Sequence, residues 1–374
     1  MSRKNISVVI VIGVIIILGL YFSIKNTNTG VIKIGFIGPL SGDAADIGET
    51  VLNGARLAEK EINALGGING RQIEIVYEDG KCNGKDAVTA GQKLINIDKV
   101  KYIAGGICSG EVFSFAPLAE EARVVVISPS ATNPDIANLG DYIFRNAPND
   151  GLRGIVIADR LIAMGFSKPA IVSEKTDYSQ GLRTAYIERL KEKGVTVASD
   201  EQYETGEIDF KSILSKVKQS GADALFIAAQ TPTNIVRLAK QARSIGIKAQ
   251  FITSEFNGPD VLSGGSDVEG LLIAVASDLA QNDQARLMVE NYKKDFGKDI
   301  RYAYYVGAEY DAIKILAQAI ASVGDNSQKV KDYLYGIKSY DGTIGTYHFE
   351  TNGDVDGVGF VFQQVKNNVS VPIQ

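Results

Sequence analysis

The chain contains few of the residues that hold metals or contact nucleic acids. Its 374 residues include one histidine and two cysteines, so neither a zinc site of four protein ligands nor another metal or cofactor site is expected. The formal net charge is −5 and no face dense in lysine and arginine is evident, which argues against nucleic acid as a partner. With 45% hydrophobic and 22% charged residues, the composition is that of a globular protein with well-packed cores. Its length suits about two domains.

One long uncharged run stands at the N terminus. The nineteen residues from Ile6 to Ile24, ISVVIVIGVIIILGLYFSI, carry no charge. This run exceeds the ~7–15 apolar residues of a secretory signal and is close to the ~20 that cross a bilayer as a helix. Arg3 and Lys4 precede it and only Lys25 follows closely, which favours a cytoplasmic N terminus. We therefore expect an uncleaved signal anchor and tether over residues 1–30. A cleaved signal is the alternative, and both place the body of the protein outside the cytoplasm.

From Val31 onward, strand and helix patterns alternate. Apolar runs such as VIKIGFIG and VVVIS predict buried strands, whereas TVLNGARLAEKEINALGG has apolar residues at helical spacing and ends in a glycine pair. The same pattern restarts at Lys168. Two matching halves, each built from strand–helix–strand units, predict an α/β protein of two doubly wound, Rossmann-like lobes with parallel sheets. The C-terminal tail reads as short strands around turns.

Small polar residues follow several of the predicted strands. In VVVISPSATNP, residues 124–134, an apolar run stops at a cluster of hydroxyls, and Ser109, Gln230 and Glu255 follow other strands. In open α/β sheets ligands bind at the carboxyl ends of the strands, where helix N termini offer N–H groups to anions. One half supplies mostly neutral donors and the other supplies the Glu255 carboxylate. A small zwitterion held between the halves would use both.

Several stretches together resemble one protein family. IGFIGPLSG, NGARLAEKEINALGGINGRQIEIVYED, GGICSG, ISPSATNP, DYSQG and QARSIGIKAQFITSE occur in the order found in type I periplasmic solute-binding proteins of the leucine/isoleucine/valine-binding branch. The resemblance covers residues 31–374. It implies two lobes, and the chain passes from one lobe to the other near residues 148, 276 and 357. Lobe 1 would comprise residues 31–148 plus 277–357, and lobe 2 would comprise residues 149–276 plus 358–374. It also implies a monomer that captures a free amino acid, branched-chain or similar, and delivers it to an ABC permease.

The resemblance assigns roles to individual residues. The Ser109 hydroxyl and the segment of Ser130, Ala131 and Thr132 would hold the α-carboxylate of the ligand. The Ser130 carbonyl, Thr132 and the Glu255 carboxylate would receive its α-ammonium. Each residue taken alone has an ordinary alternative, since Glu255 could be a solvated loop residue and Thr132 a turn residue.

Further positions would lie near the ligand side chain or support the site. Tyr178 and Tyr305 match positions that line the family pocket, although Tyr178 could equally be a packing residue. Gln230 stands where the family often has an aromatic residue, and Ile47 where it can have a large indole, so the side-chain pocket is expected to differ. Cys82 and Cys108 fall at the two positions that form a disulfide in the family; two buried free thiols are the alternative.

Hydrolysis and ligand sensing are the two alternatives to solute delivery. GICSG, residues 106–110, has the form of a hydrolase nucleophile elbow around Cys108, and His348 lies downstream as that mechanism requires. A Cys108 joined to Cys82 would have no thiolate, so an enzyme is not expected. The same bilobed fold also serves as a sensing domain. No kinase, cyclase or DNA-binding segment is present in the sequence, so sensing would need a partner chain.

Overall fold

The computed structural model describes residues 30–256, 258–277 and 279–373. The run from Ile6 to Ile24, predicted to be a signal anchor, lies outside these residues. Within the described ranges, no helix combines the length and the apolar character that crossing a bilayer requires.

The first sheet has five strands, all parallel, in the order β2-β1-β3-β4-β5. Buried apolar side chains cover both of its faces, one packed against α1 and the other against α2 and α3. Helix α1 ends before Gly66 and Gly67, which both have positive φ, as the sequence predicts for a stop. The elements are β1 (Ile32–Gly38), α1 (Ala45–Ala64), β2 (Ile73–Asp79), α2 (Gly84–Gln92), continuing into a π-helical turn (Lys93–Ile97), β3 (Tyr102–Ala104), α3 (Ser109–Ala122), β4 (Val125–Ser128), a 3₁₀ helix (Pro134–Asn138) and β5 (Ile143–Arg145).

The second sheet has seven strands in the order β15-β14-β10-β9-β8-β6-β7. Its strands β6 to β10 are parallel, as predicted. Polar N-cap residues start the helices that follow these strands, such as Thr176 before α5 and Thr231 before α7. The elements are α4 (Asp150–Ala163), β6 (Pro169–Glu174), α5 (Asp177–Glu192), β7 (Ser199–Tyr203), α6 (Lys211–Gln219), β8 (Ala224–Ala228), α7 (Pro232–Ser244), β9 (Gln250–Ser254), α8 (Pro259–Leu262), a 3₁₀ turn (Gly265–Asp267) and β10 (Leu272–Ala276).

The edge of the second sheet corrects the prediction of a parallel sheet. Strand β14 (Phe360–Lys366) pairs antiparallel with β10, and β15 (Val369–Ile373) pairs antiparallel with β14. The two strands are joined by Asn367 and Asn368, which both have positive φ, the conformation of a two-residue hairpin turn. The second sheet is therefore mixed.

The chain between β10 and β14 returns to the first sheet. Helix α10 packs on α1 and contributes Tyr305, Val306 and Ile313 to the same buried cluster as Ile34 and Phe36. We call the unit of the first sheet lobe 1 and that of the second sheet lobe 2, and keep the predicted bounds for both. The remaining elements are α9 (Asp283–Phe296), α10 (Ala303–Val323), α11 (Ser327–Gly336) and a small antiparallel sheet of β11 (Tyr340–Gly342), β12 (Gly345–Phe349) and β13 (Val355–Asp356).

Candidate ligand-binding site

The candidate site is a cavity between the lobes, where residues that follow strands of both sheets meet. Its volume is about 20 Å³. Five of the eight predicted ligand residues line it, and Ile47, singled out as a departure, lines it too. Ala131, Thr132 and Tyr305 lie behind this lining. The residues around the cavity are Ala44, Ile47, Cys82, Ile107, Cys108, Ser109, Ser130, Tyr178, Gln230, Glu255 and Phe256.

Lobe 1 presents neutral donors at one end of the cavity. Helix α3 begins at Ser109, so its first backbone N–H groups lie beside the cavity. The Ser109 oxygen accepts a hydrogen bond from the Asn133 backbone N–H at 3.2 Å, so its own proton remains available to an acceptor in the cavity. The Ser130 hydroxyl instead donates to the Ile107 carbonyl at 2.7 Å. This end suits an anion that needs hydrogen bonds without a buried counter-charge.

A buried carboxyl group and a disulfide fix this end of the cavity. Cys82 and Cys108 form the predicted disulfide, with their Cα atoms 5.3 Å apart. The Glu111 carboxyl accepts hydrogen bonds from the backbone N–H groups of Ile107, Cys108 and Cys82 at 3.0–3.1 Å. Burial raises the pKa of Glu111 to about 7, although these N–H groups oppose the shift. Glu111 therefore holds together the two chain segments that the disulfide joins.

The disulfide removes the basis of the hydrolase interpretation. The Cys108 sulfur is bonded to Cys82 and cannot act as a thiolate nucleophile. His348 lies on β12, where its Nε2 is 3.9 Å from a carboxylate oxygen of Asp356. In the part of the chain that the structure describes, no three histidine, cysteine or acidic side chains come together as a metal site.

Thr132 lies behind the residues that line the cavity and is hydrogen-bonded to another buried side chain. It is fully buried, and its hydroxyl donates a 2.6 Å hydrogen bond to Oδ2 of Asp150. Because this proton is already used, the Thr132 oxygen can only accept a hydrogen bond from a ligand. Asp150 is the first residue of α4, immediately after the chain leaves lobe 1.

Lobe 2 presents a carboxylate that already has partners. The Oε1 atom of Glu255 accepts a hydrogen bond from Arg153 and a 2.6 Å hydrogen bond from the Tyr305 hydroxyl of lobe 1. Arg153 is completely buried and also lies 3.2 Å from Oδ1 of Asp150. Sequence reasoning missed Arg153. Its one signal was the spacing of Asp150 and Arg153, three residues apart at the start of a helix, which places both side chains on one face.

The electrostatics of this group follow from its burial. Burial raises the pKa of Asp150 to about 7, an effect that Arg153 opposes and Glu255 reinforces. Burial and the charge of Glu255 raise the pKa of Tyr178 and of Tyr305 well above the ordinary value, so both remain neutral hydrogen-bonding groups. The Tyr178 hydroxyl shares a 2.8 Å hydrogen bond with that of Ser254.

Apolar residues close another side of the cavity. Phe256, which sequence reasoning also missed, is buried and packs edge-on against Tyr302 of lobe 1, with ring centroids 6.1 Å apart. Ile47 packs against the buried cluster to which Phe256 belongs. Beyond Gln230 and the disulfide, the cleft widens into a polar chamber of about 880 Å³. Phe256 could have been suspected as the aromatic residue directly after Glu255.

Two α/β lobes joined by repeated crossings, with a polar cavity at their strand ends, define a bilobed solute-binding protein of the type I periplasmic binding fold. The chain belongs to the periplasmic binding protein family, whose model matches residues 31–368. Members of this family bind solutes outside the cytoplasm and are not enzymes, and this chain is one of them.

Individual relatives align over nearly the whole described region. The leucine-specific-binding protein of Salmonella typhimurium is 31% identical over 339 residues, which cover 89% of this chain and 90% of that protein. The leucine-, isoleucine-, valine-, threonine- and alanine-binding protein of Pseudomonas aeruginosa is 29% identical over 345 residues, 91% of each chain. The branched-chain amino acid transporter substrate-binding protein of Streptococcus pneumoniae, solved with isoleucine, is 26% identical with a TM-score of 0.81. That alignment covers 92% of this chain and 99% of that one.

Proposed function

We propose that this protein captures a free amino acid, branched-chain or similar, between its lobes and delivers it to the permease of an ABC importer. One observation carries the proposal: neutral donors of lobe 1 face the Glu255 carboxylate of lobe 2 across a small cavity. The Salmonella relative, a leucine-specific-binding protein, and the Pseudomonas relative, which binds leucine, isoleucine, valine, threonine and alanine, support it.

The proposed orientation of the ligand follows from the groups in the site that can still form a hydrogen bond. The α-carboxylate accepts from the Ser109 hydroxyl and the first N–H groups of α3, because these donors face the cavity. The α-ammonium lies toward Glu255, with the Thr132 oxygen and the Ser130 carbonyl as further acceptors. The side chain of the ligand then lies among Ile47, Gln230 and Phe256.

We also propose that residues 1–30 tether a monomeric binding domain to the outer face of the cell membrane. The uncharged run from Ile6 to Ile24 and the two basic residues before it support this. The protein should then stay with the membrane through high-salt and alkaline-carbonate washes. Recovery of a soluble form that begins after residue 24 would favour a cleaved signal instead.

A thermal-shift screen tests the ligand class. Residues 30–374 are heated with each of the twenty amino acids and with deaminated and amidated analogues of those that bind. A ligand that binds only the folded state raises the melting temperature by mass action. We expect shifts from one or several amino acids and smaller shifts from their analogues. Shifts by simple carboxylates alone, or by no amino acid at all, would contradict the proposal.

A further inference from the structure

Three ionisable side chains are buried in contact with one another behind the cavity. We call Asp150, Arg153 and Glu255 the charge cluster. Arg153 lies between the two acids, 3.2 Å from Asp150 and hydrogen-bonded to Glu255, and its guanidinium carbon is 4.6 Å from the ring centre of Phe360. The side chains of Asp150 and Arg153 have no exposure, and that of Glu255 has 8%. Their charges are thus shielded little by solvent and must be balanced locally.

Arg153 compensates only one of the two acids. Above about pH 7, where Asp150 is ionised, two carboxylates and one guanidinium leave one negative charge in excess. The other groups that face the cluster do not supply the missing positive charge, since Tyr178 and Tyr305 are neutral and Thr132 is uncharged. Arg145, whose charge also lowers the pKa of Asp150, is itself paired with Asp354 at 2.6 Å.

We infer that the net charge of the whole cluster, rather than Glu255 alone, makes the site select ligands that carry an ammonium group. This inference rests on the proposed function and names two residues, Asp150 and Arg153, that act without lining the cavity. An ammonium group beside Glu255 brings the cluster to zero. A carboxylic acid that lacks the amino group would leave the excess negative charge buried and add a second anion.

The inference makes opposite predictions for single and double variants. Glu255→Gln and Asp150→Asn each leave one acid and Arg153, so the cluster becomes neutral and no longer requires a cation. At a pH high enough to keep Asp150 ionised, the double variant Arg153→Gln, Glu255→Gln again has one uncompensated acid. The pH matters because Arg153 no longer opposes the effect of burial on the pKa of Asp150. If Glu255 were needed as the direct partner of the ammonium, this double variant would remain defective.

We call the dependence of ligand selection on the net charge of the cluster the charge rule. Isothermal calorimetry on residues 30–374 at about pH 8.5, above the pKa of Asp150, tests it. The probes are leucine and alanine with their deaminated forms, 4-methylpentanoate and propanoate. We expect the wild type to prefer the amino acid by at least about 30-fold, and each single acid variant to prefer it by less than about 5-fold. The double variant should regain the preference and bind the amino acid within about 10-fold of the wild type. Asp283→Asn, on an exposed turn of α9, is the matched control and should behave as the wild type.

The outcomes separate this inference from the proposed function. An Asp150→Asn protein that keeps the full wild-type preference, or a double variant no better than Glu255→Gln, would overturn the charge rule while leaving amino-acid binding intact. A wild type that binds no amino acid would overturn both. Melting temperatures show whether each variant is folded. If Asp150→Asn is unfolded, the Glu255→Gln protein and the double variant decide, because both retain Asp150.

Discussion

The two lobes contribute different chemistry to the same cleft. Lobe 1 offers neutral hydroxyl and backbone groups, such as Ser109 and the N terminus of α3, held by the Cys82–Cys108 disulfide and Glu111. Lobe 2 offers charged groups, in which Arg153 joins Asp150 to Glu255. Each neutral donor acts separately, so the loss of one removes one hydrogen bond. The charged residues act through their net charge, so the loss of one changes the charge balance for all of them.

The largest effect is expected on the charged side. Glu255→Ala removes a partner of the ligand ammonium and leaves Arg153 without its main counter-ion. Truncating one partner of a buried charge pair costs about 2–5 kcal/mol, which corresponds to roughly 30-fold to several thousandfold weaker binding. Calorimetry with the amino acid that gives the largest thermal shift measures this. Binding within a factor of three of the wild type would remove Glu255 from the site.

A smaller loss is expected on the neutral side. Ser109→Ala removes one hydroxyl that donates to the ligand carboxylate, while the N–H groups of α3 remain. A hydrogen bond to a charged group contributes about 1.5–3 kcal/mol, so the Kd should rise about 10- to 150-fold. Ser114→Ala is the matched control, since that hydroxyl bonds the Gly110 carbonyl within the same helix. A loss for Ser109→Ala larger than that for Glu255→Ala would reverse the proposed contrast between the lobes.

The apolar side of the cavity should affect selectivity more than affinity. Phe256→Ala removes an aromatic ring between the cavity and Tyr302, which enlarges the space for the ligand side chain. Differences of one methylene in an apolar pocket change binding by about 1–3 kcal/mol, so the preference for leucine over alanine should rise about 10-fold or more. Competition between the two amino acids measures the ratio. An unchanged ratio would place the ligand side chain elsewhere, for example toward the chamber beyond Gln230.

The sequence predicted those features that are encoded locally. The polar residues Ser109 and Glu255, which follow β3 and β9 along the chain, were predicted from short apolar runs, and the pairing of Cys82 with Cys108 follows from the family resemblance. Arg153 could not be predicted in the same way, because its burial depends on Glu255, 102 residues further along the chain. The antiparallel pairing of the C-terminal strands was missed for a related reason: alternating residues in β14 indicate a strand but not its direction or its neighbour. The position of Phe256 directly after Glu255 draws attention to it but does not distinguish a cavity wall from a core residue.

A change of pH should affect both stability and binding, and the two effects separate the lobes. Burial raises the pKa values of Glu111 and Asp311 in lobe 1, and of Asp150 in lobe 2, to about 7, above the ordinary values of 4.5 for glutamate and 3.8 for aspartate. Between about pH 5 and 7 the folded protein therefore holds protons that the unfolded chain releases, so stability should rise as the pH falls from 8 to 5.5. Thermal denaturation of the ligand-free protein measures this, and a melting temperature that is constant or falls over that range would contradict it.

Ligand affinity should instead decrease as the pH falls over the same range. Protonation of Asp150 cancels the excess charge of the cluster, whereas protonation of Glu111 and Asp311 leaves that charge unchanged. Asp150→Asn should consequently abolish most of the pH dependence of binding over this range but only part of the pH dependence of stability.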